Sequence, residues 1–206
     1  MDAKTERVSP PMSNRTTIER TSDRELVVTR TVNGPARIVF KAWTNPELFK
    51  RWWVPKSMGM VLRSCEMDVR TGGTYRLVFG HDPSNSAEFF GRYIEVIPHS
   101  RIVWTNDEDG DGGSVTTVTF EEKGDKTLLI LHELYPSKEA LDAAGTGAAD
   151  AMPEQFDQLD ALLASLDASG GGNHEAAFFA TVRRFLTERM KTRTKSSRTH
   201  VTRPRR

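Results

Sequence analysis

The chain is constrained most by a change of period. Between Cys65 and Glu133 short runs of alternating apolar and polar residues follow one another, each closed by a turn sequence. After Pro136 the apolar residues return at helical spacing. Alternation marks strands with one buried face, and spacing of three and four marks amphipathic helices. Residues 65–69 end at Thr71-Gly72-Gly73, and residues 74–80 set Tyr75, Leu77 and Phe79 on one face. Segments 88–97, 101–106, 114–122 and 126–133 follow, separated by turn-rich stretches that include Asp107–Gly113 and Lys123-Gly124-Asp125. With the β-rich run 25–32 upstream, the pattern predicts six or seven strands in a curved antiparallel sheet.

Two short helices are predicted between the first strand and the rest. Pro35 suits a first helical turn, and Ile38, Val39, Ala42 and Trp43 recur at helical spacing over 35–43. Asn45 and Pro46 are a cap and first residue for a second helix that runs to about Trp52 and stops at Pro55. Late in the chain Ser137 caps one short helix. A longer one spans about 150–166, with Phe156, Leu159, Leu162, Leu163 and Leu166 on one stripe. A sheet with one apolar face must be covered. The arrangement expected is an α+β fold: a curved antiparallel sheet wrapped around the long C-terminal helix, the short pair closing one end.

Charge and cysteine content narrow the function. The 206 residues carry 29 Lys+Arg and 28 Asp+Glu, for a net charge of +1. The sum hides an asymmetry, because residues 183–206 carry +9 and the rest −8. An acidic body is not expected to bind nucleic acid specifically, while the basic tail suits an acidic surface. One cysteine, Cys65, rules out an internal disulfide and a thiolate-built zinc site. No G-x-S-x-G, HExxH, G-x-G-x-x-G or P-loop spacing occurs, so no cofactor, metal or catalytic machine is expected. The polar amino terminus and the lack of long apolar runs predict a cytoplasmic protein without a membrane span.

The segments LVVTRTVNGPARIVFKAWTNPELFKRWWVP, DVRTGGTYRLVF, FFGRYIEVIPHSRIVWTN, VTTVTFEE, LLILHELYPSKEALDAA and MPEQFDQLDALLA run in order over about 25–166. Together they resemble the START-like (SRPBCC, Bet v 1-like) helix-grip superfamily, in the branch similar to the carboxy-terminal domain of the activator of Hsp90 ATPase. The resemblance implies a central cavity for an apolar small molecule or, in some members, a surface for a chaperone. The organisation expected is a disordered arm over 1–23, meeting the first strand near Thr16, and a START-like domain over 24–167. A Gly-rich linker over 168–172, an amphipathic basic helix over 173–191 and a disordered basic tail over 192–206 would follow.

The residues expected at a ligand cavity are Trp43, Phe49, Trp53, Tyr75, Leu77, Phe79, Trp104, His132 and Phe156. Aromatic side chains offer apolar contact area, although core packing explains each of them equally well. Adjacent helical residues point about 100° apart, so Trp52 and Trp53 must do different jobs. Tyr75 needs a partner for its hydroxyl, and a ligand oxygen is one candidate. His132 at the end of the last strand suits a ligand donor or a general base, with Glu133 on the opposite side of the strand. Cys65 reads as a small buried hydrophobe. The leading function is a non-enzymatic binding protein for an apolar or aromatic small molecule. A chaperone-linked or stress-response interaction protein is second. A cyclase- or hydrolase-like enzyme using Tyr75 or His132 is third.

Overall fold

Alternation along the strands sets which face of the sheet turns inward, and one helix covers it. The computed structural model describes residues 14–82, 84–108, 113–144 and 147–170, with side chains of 147–150 and 169–170 left out. The chain divides into two compact units, Met1–Ser165 and Leu166–Arg206. Of the second, only the end of the last helix falls among the described residues. Residues 1–13 of the expected arm, residues 171–172 of the expected linker, and the expected 173–191 helix and 192–206 tail lie outside them, whereas 168–170, read as linker, continue the last helix.

Eight strands form the sheet: β1 (Thr17–Arg20), β2 (Glu25–Val32), β3 (Val61–Met67), β4 (Thr74–Asp82), β5 (Asn85–Ile97), β6 (Arg101–Thr105), β7 (Val115–Lys123) and β8 (Lys126–Leu134). Their order is β1-β2-β8-β7-β6-β5-β4-β3, antiparallel throughout. The helices are α1 (Ala36–Thr44), α2 (Pro46–Phe49), α3 (Lys138–Ala144) and α4 (Gly147–Gly170), with a 3-10 turn at Lys56–Met58. This is the α+β helix-grip architecture expected from the sequence.

Three local readings are corrected. Residues 17–20, placed in the arm, pair with β2 as a strand. Segment 81–86 is mostly strand, because the Asp82 carboxylate accepts from the Ser84 and Asn85 backbone N–H groups and closes the β4–β5 hairpin tightly. The second short helix ends at Phe49 rather than near Trp52. Its cap is as expected: the Asn45 side chain accepts from the backbone N–H groups of Glu47 at 3.0 Å and Leu48 at 3.1 Å. Ser137 likewise caps α3 through Ala140 N–H.

The core lies between the inner sheet face and α4. Leu26, Val28, Leu77, Ile102, Val118, Phe120, Leu129 and Leu131 are buried on the strands, against Phe156, Leu159, Leu162 and Leu163 of α4. Polar ties fix the helix along its length. Arg30 is buried on β2 and reaches Asp157 at 2.7 Å and Asp160 at 2.8 Å, which compensates a charge held away from water. Gln158 donates to the carbonyls of Trp52 and Val54 and accepts from Lys56 N–H, so α4 also holds the connection after α2. Leu159 is wholly buried at the middle of this stripe. Leu159→Ala should cost about 2–5 kcal/mol, read as a lower urea midpoint with an unchanged slope.

Candidate functional site

Parity along each strand decides which side chains meet the space beside α4. Tyr75 and Leu77 of β4, Tyr93 of β5, Ile102 and Trp104 of β6, and Glu133 of β8 all project to the inner face. Register aligns four of the strands in one row: Tyr93 lies opposite Trp104, Trp104 opposite Thr116, and Thr116 opposite Glu133. On the other side stand Trp43 of α1, Phe49 of α2, Trp53 to Pro55, Met58, and Ala151, Met152 and Gln155 of α4. Between these walls is a cavity of about 530 Å³. Its lining residues Met58 and Phe89 are exposed, so the space opens to solvent beside the 3-10 turn and the β4–β5 hairpin.

Of the nine residues expected at the cavity, Trp43, Phe49, Trp53, Tyr75, Leu77, Phe79 and Trp104 line it. His132 and Phe156 do not. His132 sits on the outer face of β8, half-exposed, with its imidazole 3.2 Å from the Glu25 carboxylate. The parity that turns Leu129 and Leu131 inward turns His132 out and brings Glu133 in. Phe156 is 2% exposed and lies one turn beyond Met152, inside the packed stripe of α4. The two adjacent tryptophans divide as expected. Trp52 is core, donating its indole N–H to the Ala42 carbonyl at 3.1 Å, while Trp53 stacks on Phe49 at 4.6 Å and faces the cavity.

One end of the cavity is polar, and Asn106 organises it. Its side-chain oxygen accepts from the Tyr75 hydroxyl at 2.9 Å and from the Trp104 indole N–H at 3.2 Å. Its amide nitrogen donates to the hydroxyls of Ser114 and Thr116. Tyr75 also bonds the Thr105 carbonyl at 3.0 Å, so its one proton is committed to protein acceptors rather than to a ligand oxygen. Gly91 permits that contact: a Cβ there would meet the Thr105 carbonyl oxygen at 1.9 Å. Burial pushes the Tyr75 and Tyr93 phenols well above their ordinary value. The Trp43 indole N–H is buried with no hydrogen-bond partner among the described residues, although its ring packs on Trp52, Trp53, Trp104 and Phe120.

Glu133 is the lining residue that the sequence reading placed on the far side from its candidate. Its carboxylate accepts from the Tyr135 hydroxyl at 2.8 Å. Burial raises its pKa, against smaller opposing effects of Tyr135 and the His132 charge. Both faces of this strand are apolar in the sequence, Leu128 and Ile130 on the His132 side and Leu129 and Leu131 on the Glu133 side, so period alone did not single Glu133 out. Cys65 is half-buried and its thiol is pushed up to about 11 by burial, which keeps it protonated and unreactive. Among the described residues no three His, Cys, Asp or Glu side chains cluster to hold a metal ion. No helix among them is long and apolar enough to cross a membrane.

A bent antiparallel sheet, a single gripping helix and a lined space between them define a helix-grip protein of the START-like class. The chain belongs to the family described as Activator of Hsp90 ATPase homolog 1-like protein, whose profile matches residues 33–164. A crystal structure of a Rhodobacter sphaeroides protein is similar at a TM-score of 0.66 and 24% identity, covering 73% of this chain and 99% of that one. A Chromobacterium violaceum protein is similar at 0.57 and 28% identity, covering 67% and 96%. The solution structure of an AHSA1-like protein from Aeromonas hydrophila is similar at 0.55 and 17% identity, covering 66% and 92%. No curated protein matches the sequence.

A carboxyl whose pKa is raised in the folded protein takes up a proton more readily folded than unfolded. Its ionisation therefore lowers stability as pH rises from the ordinary carboxyl range through the raised value. Glu133→Gln keeps an acceptor for Tyr135 and removes the ionisation. The variant should melt at a higher temperature than the wild type at pH 7.5, and the gain should fade as pH approaches about 4, as followed by circular dichroism.

Proposed function

We propose that the protein binds an apolar small molecule, aromatic or aliphatic, in the space between sheet and α4. The observation that carries this reading is a cavity of about 530 Å³ walled by Trp43, Phe49, Trp53, Leu77, Phe79 and Trp104, with Asn106 and Ser114 hydrogen-bonded to each other in its wall. That volume falls in the range of small-molecule sites, and so does an apolar lining with few polar groups. Family membership supports the same reading, since the family supports a ligand-binding or Hsp90-activator-like role. The two residues on which an enzyme reading rested are otherwise engaged: Tyr75 bonds Thr105 and Asn106, and His132 faces away from the cavity.

1-Methylnaphthalene, a neutral apolar probe, should bind saturably with one-to-one stoichiometry and change the emission of the tryptophans that wall the cavity. Leu77→Trp, which adds volume to that wall, should weaken it severalfold. Absence of saturable binding to the wild type would remove the reading.

The family description favours a second reading, contact with an Hsp90-type chaperone. It is tested by adding the full chain to the host's chaperone and following ATP hydrolysis. Stimulation together with co-sedimentation supports that reading, and neither effect removes it.

A further inference from the structure

The charge of the cavity restricts what it can hold. Among the described residues its lining includes two acids, Glu108 and Glu133, and no Lys, Arg or His. Glu108 is engaged at its backbone neighbour, accepting from Phe90 N–H at 2.7 Å. Glu133 has one hydrogen-bond donor among the described residues, the Tyr135 hydroxyl. A carboxylate offers about four acceptor positions, so most of its capacity is unused. The donors at the polar end do not reach it, because Tyr75, Trp104 and Asn106 spend theirs on protein acceptors. Tyr135 is its direct partner, and Trp104 lies two strands away in the same cross-strand row, about 10 Å between backbones.

We propose that the cavity takes an apolar amine, a molecule with a hydrocarbon or aromatic body and one ammonium group set against the Glu133 carboxylate. The inference rests on the ligand-binding reading above and gives the ligand its charge. An ammonium group supplies the donors that Glu133 lacks. An apolar acid of the same shape meets two carboxyl side chains and no cation, so it is disfavoured.

Three naphthalene probes of nearly the same body separate these cases: 1-naphthylmethylammonium, 1-methylnaphthalene and 1-naphthylacetate. Calorimetric titration of the full chain at neutral pH should rank them ammonium, hydrocarbon, carboxylate. The first step should be about tenfold. In Glu133→Gln the ammonium and the hydrocarbon should bind alike. Binding of the hydrocarbon with the ammonium no tighter would overturn the proposal and leave the ligand-binding reading standing. So would an ammonium preference that survives in the folded variant. If none of the three binds, both fall. Should Glu133→Gln fail to fold, the wild-type ranking decides alone.

Discussion

The apolar stripe of α4 is the contact on which the rest of the structure depends. Phe156, Leu159, Leu162 and Leu163 are the side chains that close the inner face of an eight-stranded sheet. A helix with its side chains is about 10–12 Å across, whereas strands stand about 4.8 Å apart. A bent sheet of this width is therefore too broad for one helix to fill. Among the described residues, the excess face over β4, β5 and β6 looks across the cavity to the ends of α1 and α2, the segment leading to the 3-10 turn and the start of α4. The cavity is the geometric remainder of that mismatch. Arg30, Gln158 and their partners keep the helix from sliding across to close it.

The polar end follows from the same geometry. Where the strands run out from under the helix, Thr116, Asn106 and Ser114 replace the aliphatic residues found deeper in the sheet. Buried polar groups are tolerated when they satisfy one another, and Asn106 makes four such contacts possible with one side chain. Glu133 departs from that rule. Its carboxyl is part-buried beside the cavity, and among the described residues its one hydrogen-bond donor is the Tyr135 hydroxyl.

Much of this architecture was legible in the sequence, for identifiable reasons. The alternation in 74–80 and the Gly-containing turns fixed the strands. Asn45 and Ser137 fixed helix starts, because a cap is a local hydrogen bond that needs no tertiary information. Of the residues expected at the cavity, Tyr75, Leu77 and Phe79 share one strand face that period two could group, and Trp104 lies on another strand. The failures needed information that period does not carry. Alternation separated His132 from Glu133 but could not say which of them faced inward until Leu129 and Leu131 were seen buried. The rotation of α4 decided that Met152 and Gln155, not Phe156, border the space. The partner of Tyr75 comes from β6 and the residue just after it, about thirty positions away. Strand β1 was hidden because all four of its residues are exposed, leaving no buried face to read.

The sheet also ends in two unpaired borders among the described residues, β1 and β3. Such borders are templates on which a second molecule can stack and seed insoluble aggregates. Here β1 is four residues long and ends in Glu19 and Arg20. Strand β3 carries Arg63 and Glu66 and loses its register between Leu62 and Ser64. Brevity on one side and charge with a kink on the other interrupt the ladder an incoming strand would need. Both edges are thereby poor templates for edge-to-edge pairing.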